Sequence, residues 1–148
     1  MSNVTPGRPD VLTRYFNELW NERREAVADE IFAPGFVFHA PIIPEGVRGA
    51  QAYRDRVMTP LLTAFPDLHF TLGERVESGE HVALAFQMTG THLGQFEGIP
   101  ATGRRFAVPG VVMARVSGAS IEEIRGVFDG IAMLHQLGIW PRLLVNRQ

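Results

Sequence analysis

Apolar residues near the start of the chain recur at the spacing of an amphipathic helix. Between residues 11 and 20 they fall at i, i+1, i+4, i+5, i+8 and i+9, which forms one broad apolar face. This pattern predicts a helix over residues 10–21. A second, short helix is predicted over residues 24–31, because Ala33-Pro34-Gly35 should stop it.

The middle of the chain mixes strand, loop and helix signals. Residues 36–39 read as a short strand, and residues 42–49, with a proline and two glycines, read as a loop. Apolar positions three and four apart then predict a helix over residues 50–65. Pro60 should end or kink that helix near Thr59, because proline lacks an N–H and clashes with the preceding turn.

The second half of the chain alternates apolar and polar residues with a period of two, which is typical of strands. The predicted strands cover residues 68–76, 81–92, 104–116 and 121–128. Short polar turns join the first strand to the second and the third to the fourth, and these strands should be neighbours in an antiparallel sheet. A short helix over residues 130–137 follows, and the apolar tail after Gly138 is expected to dock. The pattern therefore predicts one α+β domain over residues 1–148, with N-terminal helices packed on an antiparallel sheet.

The alternation also shows that both faces of this sheet carry apolar residues. One face holds the large side chains expected in a core. The other face is apolar as well, with Ala83, Ala85, Val111 and Met113. An antiparallel sheet usually leaves one face to water, and the N-terminal helices can cover only one side. We therefore expect a homodimer formed through this second face.

Composition narrows the classes of function. The 148 residues carry a net charge of −2, which offers no basic surface for nucleic acid or membranes. Cysteine is absent, so disulfides and thiolate sites are excluded. The histidines are scattered without metal-ligand spacing, and no metal site is expected. Without a signal-peptide pattern or a long apolar run, we expect a cytoplasmic protein with neither a nucleic-acid nor a membrane partner.

Asp129 is a lone carboxylate between apolar neighbours, in the segment V-F-D-G-I. One interpretation is an N-cap, in which the side chain accepts a backbone N–H where the last helix begins. The other is a general acid/base whose pKa is raised by apolar walls. The two roles can coexist. Arg125 has the same strand parity as Asp129, so it either faces the same cavity or is a solvated charge. Facing inward, it would bind an anionic substrate oxygen or pair with Asp129.

Two histidines and a set of apolar and aromatic residues complete the candidate site. His39 ends a strand and His92 begins a glycine-rich loop; each is either a polar group of the pocket or a structural residue. Tyr15 and Tyr53 lie on the core faces of helices, where they either pack or point a hydroxyl into a cavity. The predicted substrate-binding residues are Tyr15, Phe16, Phe38, Tyr53, Phe86, Val108, Met113 and Phe128.

Six segments carry a family resemblance across nearly the whole chain. They are Y-F-N-E-L-W-N-E (15–22), I-F-A-P-G-F-V-F-H-A-P (31–41), P-E-G-V-R-G (44–49), A-F-P-D-L-H-F (64–70), T-G-T-H-L-G-Q-F-E-G-I-P-A-T-G-R-R (89–105) and F-D-G-I-A-M-L-H-Q-L-G (128–138). Together they resemble the SnoaL-like polyketide cyclase, or ester cyclase, family. The resemblance implies the cone-shaped α+β barrel of the NTF2-like superfamily.

The resemblance also implies a chemistry. The family's cyclases close a ring by intramolecular aldol condensation of a polyketide ester, without metal or organic cofactor. Asp129 matches their general acid/base by its position in the last motif. Three features depart from the family. The segment G-V-F-D-G places glycines beside the acid. Arg125 and Phe128 stand where the last strand usually has tryptophans, and the strand over residues 104–116 lacks the cyclases' histidine.

Three functions remain open at this point. The first is a cofactor-free cyclase or isomerase that acts on a hydrophobic carbonyl compound through Asp129. The second is an enzyme of the epoxide-hydrolase or ketosteroid-isomerase kind, which needs a further polar group in the pocket. The third is a module that binds a small molecule without catalysis. Several ionisable groups around the cavity favour an enzyme, whereas Asp129 alone beside Arg125 favours a binder.

Overall fold

The computed structural model describes residues 10–139, and this part of the chain is α+β, as predicted. The helical elements are α1 Val11–Arg14, continued by a π-helix Tyr15–Asn21; α2 Val27–Ile31; α3 Ala50–Tyr53, continued by a π-helix Arg54–Met58 and α4 Thr59–Ala64; and α5 Gly130–Gln136. Asp10 caps α1 by accepting the N–H of Thr13 at 2.8 Å. The start of the first helix is therefore the predicted one.

Six strands form one sheet. They are β1 Phe32–Ala40, β2 Ile43–Arg48, β3 His69–Ser78, β4 His81–Thr91, β5 Arg105–Ser117 and β6 Ser120–Phe128. The spatial order is β2-β1-β6-β5-β4-β3. Strands β1 and β6 pair in parallel, and the other neighbours are antiparallel. The predicted antiparallel pairing of β3 with β4 and of β5 with β6 is confirmed.

The helices cover the inner face of the sheet, and the core lies between them. Alternate residues of β4 and β5 point into this core and are buried, namely Val82, Leu84, Phe86, Met88, Phe106, Val108, Val112 and Ala114. The ring of Phe86 lies against the backbone of Gly110, where a Cβ would come within 2.3 Å of the ring. A side chain at that position would displace Phe86 from the inner face.

The outer face of the sheet is apolar and open, as its alternation predicted. Val111, Met113 and Val127 have 42%, 51% and 47% of their surface exposed. Val111 and Val127 are direct partners across β5 and β6, and Val111 is also paired with Ala85 on β4. These residues therefore form a continuous patch, called the outer apolar patch below.

Two predicted irregular segments are strands instead. Residues 42–49 contain β2 rather than a loop, and the expected break at residues 33–35 lies inside β1. Pro44 is tolerated because β2 is an edge strand, where one side of the backbone needs no partner. Pro34 and Gly35 are exposed where the register between β1 and β6 shifts.

The helices differ from the prediction in detail. The short second helix begins at Val27, after a turn, rather than at residue 24. Pro60 does not end the long helix, and the change from π-helix to α-helix falls beside it, at Thr59. The π-helix Arg54–Met58 precedes α4. The tail that was expected to dock lies outside the described residues from position 140 onwards.

Candidate functional site

A cavity of about 170 Å³ lies between the helices and the inner face of the sheet. Its wall is mainly aromatic and aliphatic. At the deep end, Tyr15, Trp20 and Tyr53 are almost fully buried, whereas Arg56 and Glu97 are exposed at the rim. An apolar cavity with a few polar groups is the usual form of a small-molecule site.

Most of the predicted substrate-binding residues lie in this wall. They are Tyr15, Phe16, Phe38, Tyr53, Phe86 and Phe128. Val108 is fully buried in the core but does not line the cavity. Met113 faces the opposite side of the sheet, because odd-numbered positions of β5 point to the outer face. Its predicted place in the pocket is therefore wrong.

Three polar side chains meet at the deep end of the cavity. The hydroxyls of Tyr15 and Tyr53 are hydrogen-bonded to each other, and the indole N–H of Trp20 donates to the Tyr53 hydroxyl at 3.0 Å. Tyr15 and Trp20 are five residues apart within a π-helix, whose i to i+5 repeat brings such positions to one side. We call these three residues the phenol cluster.

The phenol cluster has one hydrogen more than its internal bonds use. Trp20, Tyr15 and Tyr53 carry three donor hydrogens, but only two bonds join them. Whichever phenol donates to the other, the accepting phenol keeps a hydrogen for a further acceptor. Because Tyr15 and Tyr53 both line the cavity, a ligand oxygen there could accept it.

Burial keeps both phenols protonated. It raises the pKa of Tyr15 to about 12, partly offset by the neighbouring donors of Tyr53 and Trp20. It also raises the pKa of Tyr53 well above its usual value of 10, and the neighbouring Tyr15 adds to that rise. At neutral pH the cluster is therefore an uncharged hydrogen-bond donor, suited to a carbonyl oxygen rather than to a cation.

Asp129 is the N-cap of α5. Its Oδ1 accepts the N–H of Ala132 at 2.9 Å, and its own N–H donates to the carbonyl of Pro109 at 3.0 Å. The side chain is exposed and does not belong to the cavity wall, although the preceding Phe128 does. The expected burial among apolar walls is not found, because the cap turns the carboxylate toward the first turn of α5. The cap interpretation has direct geometric support.

Arg125 and His39 lie side by side on the outer face, away from the cavity. They are register partners on β6 and β1, and both contact Glu123. The distances to Glu123 Oε2 are 3.3 Å from Arg125 Nη2 and 3.2 Å from His39 Nε2. Arg125 and Asp129 both occupy odd-numbered positions, as the sequence indicates. Around Arg125, however, the odd-numbered side chains of β6 point to the outer face. The structure therefore places neither Arg125 nor His39 in the cavity, which favours the solvated charge for Arg125.

His92 is buried at the base of the loop between β4 and β5. Its Nδ1 lies 3.2 Å from the backbone N of Thr102 and 3.0 Å from the hydroxyl of the same residue. Its ring packs on Phe65, with 5.6 Å between ring centroids. Nε2 has no hydrogen-bond partner among residues 10–139. His92 therefore joins the two ends of the loop and does not line the cavity.

Arg56 and Glu97 are the charged side chains of the cavity wall within residues 10–139, and sequence reasoning singled out neither. Arg56 forms an ion pair with Glu45 on β2. Glu97 precedes Gly98 in the glycine-rich loop, and this neighbouring glycine was the available signal. No helix within the described range is long and apolar enough to cross a membrane. The same residues hold no cluster of metal-ligating side chains.

Sequence comparisons place these features in a family. The SnoaL-like polyketide cyclase family matches residues 10–137. Aklanonic acid methyl ester cyclase DnrD of Streptomyces peucetius is 33% identical over 114 residues, which are 76% of this chain and 75% of that protein. The corresponding cyclase DauD of Streptomyces sp. strain C5 is 32% identical over 119 residues, which are 79% of this chain and 71% of that protein.

Comparison with solved structures indicates the same family. A candidate polyketide cyclase from Acidithiobacillus ferrooxidans has a TM-score of 0.78 at 28% identity, covering 93% of this chain and 98% of its own. IdmH from Streptomyces antibioticus, also a candidate polyketide cyclase, has a TM-score of 0.74 at 29% identity, covering 87% and 96%. These similarities confirm the NTF2-like α+β fold and the family that the sequence motifs indicated. The chain belongs to the SnoaL-like polyketide cyclase family.

Proposed function

We propose that this protein is a cofactor-independent cyclase that closes a ring in a hydrophobic, polyketide-like carbonyl compound by intramolecular aldol chemistry. The observation that carries the proposal is the phenol cluster, which places one free hydroxyl hydrogen at the deep end of an apolar cavity. The family membership supplies the cyclase class.

The phenol cluster suits the carbonyl that is attacked in an aldol reaction. As the new carbon–carbon bond forms, the electron pair of the carbonyl moves onto its oxygen, and a nearby donor stabilises the developing charge. The donor has to remain protonated while it does so, and the raised pKa values of Tyr15 and Tyr53 favour this. In a water-poor cavity such a hydrogen bond is stronger than in solvent.

Asp129 is our candidate for exchanging the proton on the substrate carbon. The assignment comes from its position in the family motif, and the fold supports it in one respect. Asp129 directly follows Phe128, which lines the cavity, so it stands at the cavity's edge. The cap occupies Oδ1 and leaves Oδ2 available, so capping and proton exchange are compatible.

One observation favours a binder instead. Asp129 is exposed, and Arg125 and His39 lie on the other face of the sheet. A protein with this cavity but without a positioned base would hold its ligand and leave it unchanged. The activity test described below separates the cyclase from the binder directly.

The proposed assembly is a homodimer through the outer apolar patch. Val111, Met113 and Val127 are large, exposed and contiguous there, which is unusual for a surface that faces water. Light scattering at micromolar concentration should give a dimer mass. Met113→Glu should dissociate it, whereas Leu93→Glu, at an exposed apolar residue outside the patch, should not. A monomer mass for the unaltered chain would contradict the dimer.

The activity test uses aklanonic acid methyl ester, the compound in the names of the two Streptomyces relatives, with ring closure followed by chromatography. The chain should convert it without added metal or cofactor and in the presence of a chelator. Asp129→Asn should lower turnover by about 10²–10⁴-fold, the usual contribution of general acid/base catalysis.

Stability provides the control for that variant. Asparagine caps a helix about as well as aspartate, so Asp129→Asn should melt like the unaltered protein. Asp129→Ala should lose about 1 kcal/mol of stability, because the Ala132 N–H loses its acceptor. Undiminished turnover in the asparagine variant would leave Asp129 as a cap alone.

A further inference from the structure

Glu97 stands at the rim of the cavity in a tight turn. The backbones of Phe96 and Ile99 are joined by two hydrogen bonds, of 3.0 Å and 2.8 Å. The two residues between them both have positive φ, +50° at Glu97 and +78° at Gly98. This is the pattern of a type I′ turn, in which glycine, asparagine or aspartate is normal and glutamate is not.

A comparison with Arg23 shows what is unusual about Glu97. These two are the non-glycine residues with positive φ in residues 10–139. The Arg23 guanidinium donates to the carbonyls of Trp20, Pro66 and Leu68, so its side chain compensates for the strained backbone. The described structure gives Glu97 no corresponding contact, and its side chain borders the cavity. Uncompensated strain beside a cavity is typical of a functional position.

The loop holds this turn in a fixed position. The N–H groups of Leu93 and Gly94 both donate to the carbonyl of Ala64, at 2.9 Å and 3.1 Å. Gly94 packs so closely on Thr63 that a Cβ there would lie 2.1 Å from the Thr63 carbonyl oxygen. Phe96 is buried and packs on Phe65, with 5.3 Å between ring centroids. Glu97 is therefore presented to the cavity by a well-anchored segment.

The charge of Glu97 dominates the rim. The other charged group in the cavity wall, Arg56, is paired with Glu45, so these two charges largely cancel. Counting Arg56, Glu45 and Glu97 leaves a net charge of −1 at the rim. A ligand that enters with a carboxylate at its outer end meets a like charge there.

We propose that Glu97 is a specificity-determining residue that selects neutral, esterified ligands over the corresponding free acids. The inference rests on the proposed function, because it concerns a ligand whose carbonyl occupies the deep end of the same cavity. Two like charges about 6 Å apart at a partly solvated rim repel enough to change affinity by roughly tenfold. Salt should weaken the effect, since the rim is exposed.

The test compares two probes that differ only in this charge, methyl 4-benzoylbenzoate and 4-benzoylbenzoate. Calorimetry at pH 7 should show that the unaltered protein binds the ester more tightly than the acid. Glu97→Gln should raise affinity for the acid by about tenfold and change affinity for the ester less than twofold. Glu97→Gly, which suits the positive φ, should show the same gain. Glu80→Gln, the same charge change in the turn between β3 and β4, should show neither.

The outcomes separate the two proposals. An unchanged ratio of acid to ester affinity in both Glu97 variants, with the ester still bound, would overturn the role of Glu97 alone. An ester affinity that is unaffected by removing both hydroxyls of the phenol cluster would contradict the proposed carbonyl site. Failure of the ester to bind the unaltered protein would count against both, whereas an acid that binds only to the Glu97 variants would support the role of Glu97.

Discussion

The two ends of the cavity follow opposite physical rules. At the deep end, Tyr15, Trp20 and Tyr53 are buried, uncharged and hydrogen-bonded to one another, so water does not compete with the bond that the cluster can offer. At the rim, Arg56 and Glu97 are charged, exposed and screened by solvent. A donor in a dry site contributes more to binding and rate than a charge in a wet one. We therefore expect large effects from the deep end and moderate ones from the rim.

Removing both phenol hydroxyls should have the largest effect. In Tyr15→Phe/Tyr53→Phe the cluster loses every hydroxyl hydrogen, and kcat/KM for ring closure should fall by about 10²–10³-fold, as for loss of an oxyanion donor. Tyr15→Phe alone should cost only about tenfold, because Tyr53 still accepts from Trp20 and keeps its own hydrogen for the substrate. Equal losses in the single and double variants would show that the hydrogen count does not govern activity.

The buried phenols at the deep end should also make the stability of the fold decrease at high pH. Tyr15 has a pKa of about 12 when folded and about 10 when unfolded, so the unfolded chain ionises first as pH rises. The corresponding stability is fully present below pH 10 and is lost as pH rises to 12, a difference of about 3 kcal/mol for two pKa units. Urea unfolding between pH 8 and 12 should show this loss. Tyr15→Phe should show a shallower one, and an identical pH dependence would contradict the buried ionisation.

The smallest effect concerns the strained turn at the rim. Glu97→Gly should raise the free energy of unfolding by about 1 kcal/mol, because glycine adopts positive φ without the Cβ clash. Arg23→Gly should lower it despite the same relief, because the bonds to Trp20, Pro66 and Leu68 are lost. Urea denaturation of both variants checks the pair. If Arg23→Gly also raised the free energy of unfolding, the side chain of Arg23 would not compensate for its strained backbone. The contrast between Arg23 and Glu97 would then not hold.

The sequence predicted the secondary structure well wherever apolar residues repeat at a regular local spacing. The long strands β4, β5 and β6 end within one residue of the predicted bounds, because alternation over many residues sets both length and face. The cap at Asp129 was likewise readable from residue type. Strand β2 was missed, because a proline and glycines look like a loop and only long-range pairing with β1 makes that segment a strand.

The candidate site was harder to predict, for a related reason. The alternation tells which residues share a face of the sheet but not which face the helices cover. Met113 was therefore predicted to line the cavity, and Arg125 was left open between the cavity and solvent, although both face outward. The phenol cluster depends on a π-helix that brings Tyr15 and Trp20 together, and no local period indicates one. Glu97 reaches the cavity through a folded loop, whose position depends on contacts with α4.

The central claim is that the phenol cluster donates a hydrogen bond to a ligand carbonyl. The most direct measurement is ¹³C NMR of methyl 4-benzoylbenzoate labelled at the ketone carbon and bound at saturating protein. The account predicts a downfield shift of the ketone resonance on binding to the unaltered protein, and loss of that shift in bound Tyr15→Phe/Tyr53→Phe. A bound resonance at the same position in both proteins would contradict it.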